Sequence, residues 1–424
     1  MDRIDIELDV LLSKAKTNIA HSLDITLHTS SLDLVVTKSL EYAVHSDYRG
    51  NVADLIDVSF YYPLGDFIFD ILPERDNLEI TIKHMFDGKV DINRYKFIPT
   101  NLDDFINHRL TTLDRTSLNN MDVFTVEGQC LDRMVEVLLR STVAGGIFKE
   151  STPLEVVTTS MGQVLDNISI ADNERVDSIR TDMSQNAQVY EHILLPPTKK
   201  FFKLPTIMQE NEYGIYNGGI GTYIQKKMGE RNLSIYQLHV YLENSERTHL
   251  RLINVNTNEL SLSDRTSSFE NNILRVITDS SDNVIDPGAM SSTENGLGFT
   301  GVDSGKVLAD TVTLAEGEVT IKEDSYRVNE TTTRPDGIDN RIDAGLIHNG
   351  YAARSAINVH AGSYIQVNWE NSDRFNLEPG MLVTYIKRKD GKVVEVKGIL
   401  HGAFTVYDLL NRTSRSVLHI FLLY

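Results

Sequence analysis

The sequence predicts an α+β chain that is mainly β, with a helical insert between two β parts. Three observations predict it. Residues 22–84 alternate apolar and polar side chains in short runs, the period of half-buried strands. After about residue 100 the apolar residues recur three and four apart, as an amphipathic helix requires. From about residue 233 the alternation returns and continues to the C-terminus.

In the first part, residues 22–29, 31–38, 56–62, 65–72 and 77–84 read as strands. Arg49-Gly50-Asn51, Pro63-Leu64-Gly65 and Pro73-Glu74-Arg75-Asp76-Asn77 supply the turns. Short strands with tight turns predict a small barrel rather than a parallel sheet. The spacing then predicts helices over 102–110 and 130–141, with Cys130 a small buried hydrophobe on the second. Thr152, Pro153 and Glu155 form a capping box that opens a helix over 153–165. A polar run, 171–189, closes the helical block.

Residues 192–219 are apolar and aromatic, with two proline turns and a Gly218-Gly219 hinge. Residues 233–243 and 248–256 read as a hairpin around Asn244-Ser245-Glu246. Residues 256–345 hold 17 acids against 7 bases, about half of the excess negative charge of the chain. Strand patterns at 272–278, 306–314 and 318–328 make this a loop-rich β region. Compact β structure resumes over 362–370, 380–400 and 415–424, with Lys389-Asp390-Gly391-Lys392 as a hairpin turn. An internal echo links the two β parts. A proline-marked turn leads to Leu78-Glu79-Ile80-Thr81-Ile82-Lys83, and another leads to Leu382-Val383-Thr384-Tyr385-Ile386-Lys387. Such a repeat implies two related barrels in one chain.

Composition excludes several functions. The net charge is −19, from 60 acids and 41 bases, which argues against gripping a phosphate backbone. A single cysteine rules out an intramolecular disulfide and a cysteine metal site. The N-terminus lacks a signal-peptide core, and the longest apolar stretch, 416–424, is too short to span a bilayer. The expectation is a soluble chain made in the cytoplasm, with no membrane anchor.

No nucleophile elbow, zinc helix, phosphate loop or dinucleotide fingerprint is present in the sequence. Residues 217–223 are glycine-rich but lack the following lysine, so they read as a flexible turn. Asp279, Asp282 and Asp286 lack the glycine and distal glutamate of a calcium loop and read as a solvated acidic loop. His239 and His249 read as a surface pair across the expected hairpin. Trp369, the single tryptophan, reads as a core or interface anchor. With so many acids a carboxylate pair for glycoside hydrolysis can always be drawn, and nothing in the sequence marks one. No catalytic residue, metal ligand or cofactor is assigned.

The segment 195–255 carries a resemblance. Leu195-Pro196-Pro197 is followed by Leu204-Pro205, then by Tyr213-Gly214-Ile215-Tyr216, then by Ile235-Tyr236. This resembles the middle of baseplate central hub proteins of contractile-tailed bacteriophages. Asn77-Leu78 and the residues after it resemble the strand following the proline turn in that family's first barrel. Pro379-Gly380 and the residues after it resemble the equivalent in its second. Two departures stand out: Gln237 occupies a position where the family has proline, and 256–345 is longer than a plain barrel needs.

The resemblance implies a fold of two small tail-tube-like β-barrels with a helical insert and a loop-rich β region. The first barrel would span 1–100, the helical insert 101–190, and a proline-marked connector, 191–232, would complete the first barrel. The second barrel would comprise 233–255 and 346–424, and 256–345 would be an acidic insertion. It also implies a non-enzymatic structural protein of the virion, a homotrimer at the tail baseplate assembled in the host cytoplasm. Three chains with two barrels each would join a threefold central spike to the sixfold tail tube. The partners would be the spike protein, the tube protein and other baseplate subunits. DNA would pass through without specific binding, and an acidic lumen would keep it from sticking. Two other readings are a tail-associated peptidoglycan hydrolase and a receptor-binding or decoration protein of the tail tip.

Overall fold

The computed structural model describes residues 3–14, 20–36, 38–101, 123–171, 174–210, 213–241, 247–255, 267–278, 283–285, 298–303, 306–315, 318–326, 351, 355, 358, 362–389, 392–409 and 411–423. The helix expected over 102–110 and the turn at 244–246 lie outside these residues, as do Asp279, Asp282 and Asp286.

Seven strands form the N-terminal part of a large sheet: His21–His28, Asp33–Val35, Lys38–Asp47, Leu55–Pro63, Glu79–Phe86, Lys89–Pro99 and Val123–Leu131. Across the sheet they run 33–35, 21–28, 79–86, 89–99, 123–131, 55–63, 38–47. Every neighbouring pair is antiparallel. Their alternation buries Ile25, Leu27, Val44, Val58, Phe60, Ile80, Ile82 and Phe97 in one core. Cys130 is buried as expected, but on strand Val123–Leu131 rather than on a helix.

Residues 65–72 are not the expected strand. The chain winds through a helical turn at Leu64–Asp66, a π-turn at Phe67–Ile71 and a 3-10 turn at Leu72–Asn77. Phe67, Ile68, Ile71 and Leu72 are buried, a spacing of one, four and five that suits a helix and not a strand.

Helix Arg133–Arg140 starts at Asp132, whose side chain accepts from Met134 N at 2.9 Å and Val135 N at 3.2 Å. Helix Pro153–Asn167 carries the predicted capping box in full. Strands Tyr190–Leu195 and Gly146–Ser151 pair, and helix Leu204–Glu210 follows. Strands Ile220–Lys227 and Glu230–Gln237 form a hairpin, joined by the parallel strand Ser178–Thr181. These elements share a core of their own, including Val156, Met161, Leu204, Ile215, Leu233 and Ile235. The strand pairing therefore overturns the hairpin expected between 233–243 and 248–256. Met228 and Gly229, at φ +52° and +84°, make the tight turn on the other side.

The C-terminal part has a mixed arrangement. His249–Asn254 runs parallel to both Ile273–Thr278 and Leu382–Lys389. Leu382–Lys389 pairs with Lys392–Asp408, which pairs with Thr413–Leu423, which pairs with Gly362–Glu370. Register Lys389↔Lys392 matches the predicted Asp-Gly turn. Trp369 is fully buried in this core. The strand patterns of the acidic region are present at Ile273–Thr278, Lys306–Ala315 and Glu318–Tyr326. Helix Arg3–Lys14 lays Ile4 and Leu11 on Ile253, Ile277 and Ile386.

The expected pair of separate barrels gives way to one continuous sheet of fifteen strands, and among the described residues no ring of strand pairs closes. Strand Lys392–Asp408, 17 residues long, explains this. Its first half pairs with Leu382–Lys389, and its second half pairs with Lys38–Asp47. The register shifts between Leu400 and Gly402. A side chain at Gly402 would press on the Ser46 carbonyl oxygen, so only glycine lets the two halves approach this closely. The internal echo has a structural counterpart. In each half a 3-10 turn, at Leu72–Asn77 and at Arg374–Asn376, precedes a strand, a two-residue turn and a longer strand.

Candidate functional site: the junction of three cores

The family-motif positions fall into three places. Leu204 and Pro205 are buried at the start of helix Leu204–Glu210. That helix aims Gln209 at the Tyr213-Gly214-Ile215-Tyr216 segment. Gln209 Oε1 accepts from Ile215 N at 3.0 Å and Tyr216 N at 2.8 Å, and its Nε2 donates to the Tyr216 carbonyl at 2.7 Å. Gly214, at φ +68°, donates its N–H to the Met208 carbonyl. Asn186 Nδ2 donates to the carbonyls of Tyr213 and Gly214, at 2.8 and 2.9 Å. Two buried amides thus fix a segment that makes no sheet ladder, because buried backbone groups need partners. Pro196 and Pro197 are exposed, beyond the end of strand Tyr190–Leu195.

The second place is reached through an ion pair. Tyr216 Oη donates to the Asp182 carbonyl at 3.0 Å. Asp182 Oδ1 pairs with Arg247 at 2.8 Å, and Oδ2 accepts from Gln237 N at 2.8 Å. Burial raises the Asp182 carboxyl above its usual range, and Arg247 and the Gln237 N–H oppose the shift. Arg247 Nη1 donates to the Pro379 carbonyl at 2.7 Å. The structure thus brings Tyr216 and Pro379-Gly380 into one network. Asn77 and Leu78 stand apart: Asn77 is exposed, and Leu78 is fully buried in the N-terminal core.

The third place is where the cores meet. Asp54 Oδ1 accepts from Ser46 Oγ at 2.5 Å and from Tyr223 Oη at 2.6 Å. Its Oδ2 pairs with Arg374 Nη1 at 3.2 Å, and Arg374 Nε donates to Tyr407 Oη at 3.0 Å. Tyr236 Oη donates to the Tyr48 carbonyl beside them. Ser46 and Tyr48 belong to the N-terminal part, Tyr223 and Tyr236 to the middle, and Arg374 and Tyr407 to the C-terminal part. Burial foremost, then the Asp54 carboxylate, pushes the Tyr223 phenol well above its ordinary value, so it remains a donor. Arg231 and Asp132 form a further buried pair at 2.7 Å inside the middle core. Asp54 takes both of its carboxylate oxygens to partners, whereas Arg231 keeps one buried nitrogen, Nε, without one. The arrangement holds three packed bodies in one orientation and presents no free nucleophile or acid–base pair.

His239 and His249 do not face each other across a hairpin. His239 packs edge-on against His401 at 5.1 Å, and His249 Nε2 lies 2.8 Å from Thr384 Oγ1. Among the described residues no helix is long and apolar enough to cross a membrane.

Gly380 gives a direct test of the junction. Its φ is +68°, and an added Cβ would sit against Arg247 Nη1 and 2.7 Å from Tyr236 Cδ2. Gly380→Ala should cost about 2–4 kcal/mol, from left-handed strain and overpacking together. Gly229→Ala, at φ +84° with open space around it, should cost only the strain, about 1 kcal/mol. Denaturant midpoints of the two variants measure the difference.

No family model matches the chain, and no curated protein matches it. It is similar in structure to two tail proteins and to a component of a secretion system. A tail protein from Neisseria meningitidis MC58 has 10% sequence identity and a TM-score of 0.48, covering 94% of this chain and 96% of that one. The 43 kDa tail protein of prophage MuSo2 from Shewanella oneidensis has 9% identity and a TM-score of 0.47, covering 94% and 98%. The E. coli c3393 protein, a component of the type VI secretion system with structural similarity to bacteriophage T4 tail proteins gp27 and gp5, has 9% identity and a TM-score of 0.42, covering 94% and 76%.

Proposed function

We propose that this chain is a structural subunit of a contractile phage-type tail, a baseplate hub that assembles as a trimer. The observation that carries the reading is the repeated succession of turn, strand, tight turn and long strand in both halves, fused through strand Lys392–Asp408. Two similar bodies per chain let three chains offer six similar surfaces. That reconciles a threefold spike with a sixfold tube. The motif positions that resemble the hub family support the same reading, because Tyr216 and Pro379-Gly380 hold the middle body to the C-terminal one through Asp182 and Arg247.

In this role the work is geometric, and no chemical step is assigned. The chain would bind spike protein, tube protein and neighbouring baseplate subunits in the virion. Its excess of acids would repel passing DNA. Sedimentation of the purified chain tests the proposal: a species of three chains is expected. A monomer that clears peptidoglycan in a zymogram would replace this reading with the hydrolase.

A further inference from the structure

Strands Gly146–Ser151 and Tyr190–Leu195 make a two-stranded ribbon that is apolar on both faces. Phe148, Ile193 and Leu195 pack into the middle core. Ile147 and Leu194 stand directly opposite each other on the outer face, each 64% exposed. The ribbon thus buries one face and leaves a pair of large aliphatic side chains in water, an unfavourable exposure that a partner would relieve.

The turn after the ribbon is held rigidly. Pro196 and Pro197 fix two φ angles, and Thr198 follows at φ +66°. Positive φ strains a β-branched residue, and strain of this kind gathers at functional sites. The surroundings keep it in place. A side chain at Gly145 would strike Pro197 N, Val143 N donates to the Lys199 carbonyl at 2.8 Å, and Phe201 N donates to the Ser141 carbonyl at 3.1 Å. The turn presents Lys199 and Lys200 already in position, which lowers the cost of ordering on binding.

The charge here is the reverse of the rest of the chain. Residues 139–151 and 189–203 hold five bases against two acids, in a chain of net charge −19. Arg140 pairs with Glu136 and His192 with Glu191, whereas Lys149, Lys199, Lys200 and Lys203 have no carboxylate partner among the described residues. Copies of so acidic a chain repel each other unless they meet through such a surface. A complement lies in the N-terminal part. Asp66, Asp70 and Glu74 recur four apart on the winding 64–77, and Asp76 follows. Glu74 accepts from Ser30 N at 2.9 Å, which ties the winding to the loop before edge strand Asp33–Val35. Leu32 and Val35 are exposed there, 47% and 70%. A ring of three copies needs two different, complementary patches on each.

We infer, on the trimeric reading above, that the outer face of the ribbon and its turn, 196–200, dock on the winding 64–77 and the adjoining edge strand of the next copy. Ile147 and Leu194 meet Leu32 and Val35, and Lys199 and Lys200 meet the carboxylates.

Sedimentation of the full chain over a concentration series tests this. The wild-type chain should form trimers. Lys199→Glu with Lys200→Glu should raise the concentration needed for them at least about tenfold, because like charges then face each other. Asp66→Lys with Asp70→Lys should do the same, and all four changes together should restore most of the loss. Ile147→Ser with Leu194→Ser should also weaken the trimer, with the circular dichroism spectrum unchanged, so the interface stays testable if the Asp70 variant does not fold. Wild-type trimers that none of these variants weakens would overturn the interface and leave the trimer standing. So would a combined variant that folds and restores nothing. A wild-type chain that stays monomeric at every concentration would overturn both.

Discussion

Arg374→Met should destabilise the protein by about 3–5 kcal/mol, because it strands a mostly buried carboxylate at the meeting point of three cores. Arg374 and Asp54 side chains are only 9% and 12% exposed. Methionine fills similar volume, so the loss reports the broken Asp54 pair and the lost donor to Tyr407 rather than a cavity. Asp54→Asn alone should also be costly, since Arg374 would then be the unpaired ion. The double variant should cost less than the sum by about 2 kcal/mol or more, as residues in one network do not add. Urea midpoints of the three variants give the coupling. Additive losses would mean that the pair does not bind the three bodies together.

Acid should destabilise the fold steeply, before the carboxylates titrate. His239 and His401 are buried, 7% and 1% exposed, with perpendicular rings. His239 Nδ1 donates to the Gly218 carbonyl at 3.1 Å, and His401 Nε2 to the Leu238 carbonyl at 2.5 Å. His401 Nδ1 has no partner, and Arg49, His419, Tyr364 and Phe421 surround the pair. Burial foremost lowers His239 to about 4, and burial and then His239 hold His401 well below its usual range. Both are neutral in the fold, whereas the unfolded chain takes up protons near pH 6.5. The unfolded state therefore gains protons first as pH falls, and stability declines from about 6.5 downward. It levels off only when the folded histidines protonate, near pH 4 for His239. Each buried histidine contributes at most about 1.4 kcal/mol per pH unit, so this pair should account for about 3–5 kcal/mol of the stability lost between pH 6.5 and 4.5. Denaturation midpoints across that range measure the slope. Burial lowers His21, His84, His249 and His419 as well, so they add to it, and His401→Gln should make it shallower by about 1 kcal/mol per pH unit.

Much of the β structure was legible because burial on one face writes a two-residue period into the chain. The Thr152 capping box and the Lys389↔Lys392 pairing were legible because both follow from local chemistry. Residues 65–72 misled because Phe67-Ile68-Phe69-Asp70-Ile71 suits either a strand or a helix when the surroundings are apolar. The true hairpin at Met228-Gly229 was missed because methionine at positive φ carries no turn signal. The joining of both halves through Lys392–Asp408 was not legible, since it depends on pairing with residues more than 350 positions away. Nor were Gln209 and Asn186, whose amides act only once the chain has brought the Tyr213–Tyr216 segment to them. Asp182 and Arg247 carry the same lesson: an ion pair 65 residues apart has no sequence pattern.

The hub reading makes a geometric claim that imaging tests most directly. Negative-stain images of the purified full-length chain should show a threefold ring with a central hole wide enough for duplex DNA. A monomer with a cleft, or an assembly with no through-hole, would contradict it.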